Sequence, residues 1–395
     1  MFKIVFFCIP AHGHTNPTLN VVRELVSRGH QVWYYSYEMF REKIEAAGAT
    51  FIPCDPYDAE QQLSAKDAAR IGTDLALSAK VLVDTTLALD EAISRELRSL
   101  KPDCIVADSM AIWGKAIARK LGIPFISSTT TFAFNQHSAK IMKQSFPDLL
   151  RMLFSLPKAQ KQVKRLNQKG YPFHNFLDIL QNDDNTHTIV YTSPEFQPCS
   201  ETFSDKFAFV GPSVRPASGT IRKTRSKLIY ISMGSVNNDM LPLYKRFVRA
   251  FSDSEYQIIL SAGNLVSLEA FGTLPEHISV HHSVDQIAVL QCADLFFSHC
   301  GMNSVSESLY FGVPLVMLPQ TSEQWGVARR VQQLNAGILL KKTDVSSIAA
   351  AAEEILSQSV YRQNANRISQ SFHSSPGAAG AADKVLSVCQ IPKKG

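Results

Sequence analysis

Apolar residues in the first half of the chain fall into short unbroken runs, each followed by a polar turn and then by apolar positions at helical spacing. Residues 3–9 are the first such run, and Gly13-His14-Thr15-Asn16-Pro17 follows it. Asn16 or Thr15 can cap a helix there, and Pro17 stands where a starting helix tolerates a missing N–H. Leu19, Val22, Leu25 and Val26 then recur at the helical period, and Gly29 closes the helix. Residues 31–36 read as the next strand. A further unit runs from a strand over 104–107 through a helix to about Arg119, then by Gly122-Ile123-Pro124 into a strand over 125–128. Strands alternating with helices predict parallel βαβ units in a doubly wound α/β sheet. Such sheets bind ligands beyond the carboxyl ends of their strands, which is where His14 and Asp108 fall.

The rhythm breaks over 137–185, a stretch rich in Lys, Gln, Phe and Leu that predicts helices and loops. Lys158, Lys161, Lys164 and Arg165 read there as a solvated helix face, with an acidic partner or a membrane surface as the alternative. A strand over 207–211 ends the first series, and Gly211-Pro212 with the basic run to Lys227 reads as a linker. A second series starts at Leu228 and continues through 257–261, 279–281, 295–298, 314–318 and 337–340. The predicted division is a domain over 1–212, a linker over 213–227 and a second domain over 228–375. Two such halves leave a cleft between them, a favoured place for small-molecule chemistry.

Composition narrows the class. The 395 residues are 45% hydrophobic and 19% charged, enough for large cores and too apolar for disorder. A chain of that length is about twice what one core supports, which agrees with two domains. A net charge of +5 is far from the dense basic stripe that nucleic acids require. Seven cysteines without a C-x-x-C pair or zinc-like spacing read as reduced thiols, hence a cytoplasmic protein with no metal centre. No apolar run reaches 18 residues, so no membrane span is expected, and Ile4–Ile9 reads as a buried strand rather than a leader.

The most informative segment runs from Asp294 to Pro314. A buried strand leads into a polar turn and a helix expected to start near Asn303. Backbone N–H groups and the positive end of the helix dipole then meet at the strand's carboxyl edge, which suits an anion. Gly301 allows close backbone approach, Asn303 and Ser304 add donors, and His299 can donate or carry charge. Glu307, one turn on, can accept from vicinal hydroxyls such as a ribose carries. The plain alternative is a core strand followed by a helix capped by Asn303. Neither a Walker-A lysine nor G-x-G-x-x-G occurs here, which disfavours a P-loop or dinucleotide site. After the next strand, Glu323 and Gln324 present an acid and an amide together, suited to sugar hydroxyls or, alternatively, to a helix start capped by Thr321 and Ser322.

These residues carry a resemblance. Residues 283–324 resemble the donor-binding signature of the family 1 UDP-glycosyltransferases, and Pro10-Ala11-His12-Gly13-His14-Thr15-Asn16-Pro17 resembles their catalytic-histidine loop. Length and motif order are most similar to the bacterial macrolide glycosyltransferase branch, over essentially the whole chain. The resemblance implies a GT-B fold, two facing doubly wound (Rossmann-like) domains, with residues 376–395 forming a helix that returns toward the first. It also implies inverting transfer of a hexose, glucose, from a UDP-sugar co-substrate to a hydroxyl of a hydrophobic small molecule such as a macrolide, polyketide or phenol. By position His14 would be the base, rather than His12, and Asp108 its carboxylate partner; a helix N-cap beside Ser109 is the other reading of Asp108. The departing UDP would be held by the helix N–H groups with His299, Gly301, Asn303 and Ser304, without a divalent metal or other cofactor. Gly234 and Ser235 would also face the diphosphate, Glu307 the ribose, and Glu323 with Gln324 the donor sugar. Where the family commonly has a tryptophan that stacks on uracil, worth roughly 1–3 kcal/mol, this chain has Ser283. A thymidine diphosphate donor therefore stays open; Val284 could still read the base through its backbone, and strand alternation would turn His282 away. Phe132, Phe134, Phe146 and Phe154 are candidates for an aromatic acceptor pocket, with core packing as the alternative. The competing functions are a nucleotide-sugar epimerase and a non-catalytic nucleotide-sugar-binding module.

Overall fold

The computed structural model describes residues 1–57, 74–138, 146–171, 173, 175, 178, 185–234 and 238–392, without the side chains of 75, 91 and 146–155. Among these residues, β1 (Lys3–Phe7), β2 (Gln31–Ser36), β3 (Thr50–Pro53), β4 (Cys104–Asp108), β5 (Phe125–Thr129), β6 (His187–Val190) and β7 (Phe207–Phe209) form one parallel sheet in the order β3-β2-β1-β4-β5-β6-β7. A second parallel sheet has the order β10-β9-β8-β11-β12-β13. Its strands are β8 (Leu228–Ser232), β9 (Gln257–Ser261), β10 (Ile278–His281), β11 (Leu295–Ser298), β12 (Leu315–Met317) and β13 (Gly337–Leu339). The central strands β4, β8 and β11 are buried at every position, as unbroken apolar runs covered by helices on both faces require. Each sheet reverses its direction of growth once, between β1 and β4 and between β8 and β11. At such a reversal the flanking helices diverge and leave a crevice at the strands' carboxyl ends.

Helix α1 (His12–Ser27) starts earlier than the sequence suggests. Its N-cap is Ala11, in an extended conformation, with no side-chain cap. Thr15 and Asn16 are therefore not caps, and Pro17 lies inside the helix rather than in its opening turn. The other end behaves as expected: Gly29 has a φ of 82°, and the N–H groups of Gly29 and His30 return to the carbonyls of Val26 and Leu25.

The two lobes exchange material in both directions. Phe132 and Phe196 come from the first series of strands, yet both are buried with Phe372 in a core cluster of the second lobe. Phe196 lies against Phe132 at 5.3 Å and edge-on to Phe372 at 5.6 Å. Arg330 then donates to the carbonyls of Phe196 at 2.9 Å and Glu195 at 2.6 Å. In return, the helix Gly377–Cys389 packs on the first lobe, where Ala381, Ala382, Val385, Val388 and Cys389 join Leu25, Cys104 and Ile105 in one core. Arg28 pairs with Asp383 at 2.5 Å on the outer side of that contact.

Helix α2 (Ile112–Leu121) rests so closely on β4 that a Cβ built at Gly114 would lie 2.4 Å from Ala107 Cβ and 3.1 Å from Phe7 Cδ2. Gly114→Ala must therefore push α2 off the strand that ends in Asp108. It is expected to cost about 1–3 kcal/mol, as overpacking does. Urea denaturation of the variant should show a lower midpoint, and an unchanged one would contradict this packing.

Candidate functional site

The register that pairs Phe7 with Ala107 brings the ends of β1 and β4 together. His14, the third residue of α1, then meets Asp108, the last residue of β4, with Nδ1 2.7 Å from Oδ2. Asp108 is buried, and its other oxygen accepts the Met110 N–H at 2.9 Å. It caps no helix, since α2 begins at Ile112 behind Ala111. Thr130 Oγ1 lies 3.2 Å from the same ring nitrogen. A carboxylate only accepts, so Nδ1 carries the proton, and in the neutral ring Nε2 holds the lone pair. The His14 side chain keeps 21% of its surface open. Burial works against a charged ring, but the Asp108 charge, its hydrogen bond and the Glu323 carboxylate together outweigh it, and the pKa stands above the ordinary value. His12, two residues earlier, is exposed and sits edge-on to Phe40 at 4.9 Å. Its pKa is lowered, by partial burial and then by Lys43.

In the second lobe, β11 ends at Ser298 and α3 (Met302–Tyr310) begins after a tight turn in which Cys300 has a φ of 68°, left-handed for a non-glycine residue. The N-cap of α3 is Gly301, with no side-chain cap. Asn303 is therefore the helix's second residue and not its cap, and its amide is free for another use. The His299 ring is wedged between two glycines. A Cβ at Gly234, where φ is 86°, or at Gly301 would come within 2.7 Å of ring atoms. Burial drives the His299 pKa down to about 4, against an opposing pull from the Ser232 carbonyl. The expectation that His299 could carry charge is thus corrected: near pH 7 it is a neutral ring.

Glu307 faces the same side of α3. Gln286 Nε2 donates to its Oε2 at 2.5 Å, while Tyr230 donates its hydroxyl to Gln286 Oε1 at 3.2 Å. Burial raises the Glu307 pKa, and Asp285 adds to this, while Gln286 and Arg215 oppose it. Gln286 and Arg215 went unnoticed in the sequence. Arg215 belongs to the linker and pairs with Asp285, which also accepts from the Ser218 N–H at 2.6 Å and hydroxyl at 2.8 Å. The segment between β10 and the helix Gln286–Leu290 holds Ser283, which is exposed, and Val284, which is half-buried against the second lobe's core. Because β10 ends at His281, strand alternation does not govern His282; its Nδ1 donates to the Gly263 carbonyl at 3.0 Å.

Helix α4 (Ser322–Gln333) bears out the capping reading of its first turn. Thr321, not Ser322, is the N-cap, and it forms a capping box with Gln324. Gln324 Oε1 accepts from the N–H groups of Gln320 at 2.7 Å and Thr321 at 3.2 Å, so its amide Nε2 remains as a donor. Glu323 is open to solvent at the cleft. The protein around it nevertheless raises its pKa, with His14 pulling the other way.

The two half-sites touch. Asn303 Nδ2 donates to the Gly13 carbonyl at 3.1 Å, one residue from His14. The acceptor-pocket candidates fare differently. Phe132 is 3% exposed within the interlobe cluster, in keeping with its core-packing alternative, and Phe134 is half-buried against that cluster. Ser235 and the side chains of Phe146 and Phe154 lie outside the described residues. Among the described residues no three His, Cys, Asp or Glu side chains gather as a metal site, and no helix is long and apolar enough to cross a membrane.

Comparison with known proteins agrees with this architecture. Residues 248–388 match the family described as "Erythromycin biosynthesis protein CIII-like, C-terminal domain". The chain is 32% identical to NDP-glycosyltransferase YjiC of Bacillus subtilis, over 97% of this chain and 96% of that one. It is 30% identical to demethyllactenocin mycarosyltransferase of Streptomyces fradiae, over 98% and 86% of the respective chains. The crystal structure of the glycotransferase of kitacinnamycin superposes with a TM-score of 0.84 at 25% identity, covering 99% of both chains. With two parallel-sheet lobes, a site where they meet and relatives matched from end to end, the protein belongs to the NDP-sugar glycosyltransferases of the GT-B fold.

Proposed function

We propose that the protein is an inverting, metal-independent glycosyltransferase that moves a hexose, glucose, from UDP-sugar to a hydroxyl of a hydrophobic small molecule. The observation that carries this reading is the meeting of the His14–Asp108 pair with the uncapped tip of α3, at the Asn303–Gly13 contact. His14 Nε2 takes the acceptor hydroxyl's proton as that oxygen bonds to the anomeric carbon. On the opposite face the bond from that carbon to the diphosphate oxygen breaks, and its electron pair leaves with UDP, so the configuration inverts. Asp108 stabilises the imidazolium that forms. The departing charge meets the N–H groups of α3, Ser304 and the second N–H of the Asn303 amide, dipoles already in place before the bond breaks. Glu307, oriented by Gln286, would take the ribose hydroxyls, and Glu323 with the Gln324 Nε2 the sugar's. The macrolide-type acceptor is supported by the Streptomyces fradiae relative's name. Ser283 leaves a thymidine diphosphate sugar as the donor to be compared with UDP-glucose.

Three outcomes are expected. His14→Ala should lower transfer by roughly 10²–10⁴-fold, the worth of a general base, while UDP still binds in calorimetry; retained transfer would reject His14 as base. The base must be neutral to act, so kcat/KM should rise with pH through a pKa above the ordinary histidine value. Asp108→Asn removes a charge that raises that pKa, so the acid limb should move to lower pH beneath a reduced plateau; a shift to higher pH would contradict the assignment. Transfer to a phenolic acceptor panel, read by mass spectrometry, should persist in excess EDTA, and its loss with restoration by a divalent ion would overturn the metal-free reading.

A further inference from the structure

Pro17 lies in the interior of α1, five residues after its first, where proline ordinarily weakens a helix. Lacking an N–H, it cannot donate to the carbonyl four residues back, which is that of Gly13. The proline ring also crowds that carbonyl. This is the carbonyl that receives Asn303 Nδ2 from the other lobe at 3.1 Å. The approach is close: a Cβ at Gly13 would already touch Asn303 Nδ2 at 3.5 Å. His14 follows Gly13 directly, and Asn303 stands at the tip of α3.

We propose that Pro17 is a positioning residue for transfer: by withholding an N–H from the Gly13 carbonyl it offers that carbonyl to the Asn303 amide, and so sets the base of one lobe against the donor cradle of the other. The inference rests on the transfer reading above. An amide nitrogen carries two donors, so one N–H of Asn303 is spent on the opposite lobe and the other is left for a phosphate oxygen. With a residue that has an N–H at 17, the Gly13 carbonyl turns back along the helix axis and the link across the cleft weakens. Helix stability and catalysis then change in opposite directions, which a residue of merely structural importance does not do.

The test uses the full-length protein with Pro17→Ala, and with Pro17→Ser as a second route to the same N–H. Expected are a melting temperature unchanged or raised, UDP affinity by calorimetry unchanged, and a kcat with UDP-glucose and a phenolic acceptor lower by roughly three- to tenfold, the worth of one neutral hydrogen bond. In an Asn303→Ala background, Pro17→Ala should bring no further loss. Wild-type kcat in both variants, an equal loss in the Asn303→Ala background, or unfolding of both variants would overturn the inference. So would a crystal structure of Pro17→Ala that retains the Asn303–Gly13 bond, a readout that needs no turnover. A wild-type protein inactive toward every acceptor would count against the transfer reading alone.

Discussion

A buried carboxylate one hydrogen bond from a half-open imidazole is a demanding arrangement. Asp108 loses its hydration on folding and must recover it from the Met110 N–H and the His14 ring. Removing either partner would leave a buried charge underserved, so β1, β4 and the first turn of α1 are obliged to keep their mutual placement. That placement depends on a strand register, on a glycine that lets α2 close over β4, and on a helix that begins at its earliest opportunity after β1. Because Asp108 occupies one ring nitrogen, the other is left as the acceptor of the neutral ring.

The opposing lobe handles charge by a different principle. Its cradle contains a histidine kept neutral by burial, amides whose oxygens are already engaged, and a helix tip without a side-chain cap. On the proposed reading, oriented dipoles take the place of cations. They would need no reorganisation when charge arrives, and the His299 ring occupies the space that a Cβ at Gly234 or Gly301 would take. On the same reading the acidic members, Glu307 and Glu323, would meet hydroxyls rather than phosphates.

Much of this was legible in the residue pattern. Strands buried on both faces announce themselves as apolar runs, and His14, Asp108 and the 294–324 segment fall at strand ends where a doubly wound sheet must open. The errors share a cause. Both α1 and α3 are capped by residues without a capping side chain, Ala11 and Gly301, so the nearest polar residues, Asn16 and Asn303, drew the assignment. Phe132 reads as a pocket residue until Phe196 and Phe372, remote in sequence, are seen against it. Gln286 and Arg215 act by orienting or anchoring other groups, and such roles leave no periodic trace. Gln324 is instructive in another way: the capping reading engages its amide oxygen, so it does not exclude the proposed binding role for its nitrogen.

The helix over 377–389 has a further implication for how the chain is made. It is reached only after the entire second lobe, yet its alanines and valines complete the core of the first. While a ribosome is still synthesising the second sheet, the first one carries an uncovered apolar face beside Leu25 and Cys104. The early half of the molecule therefore waits, incomplete and in need of shielding, until the late half has emerged and handed back its final helix.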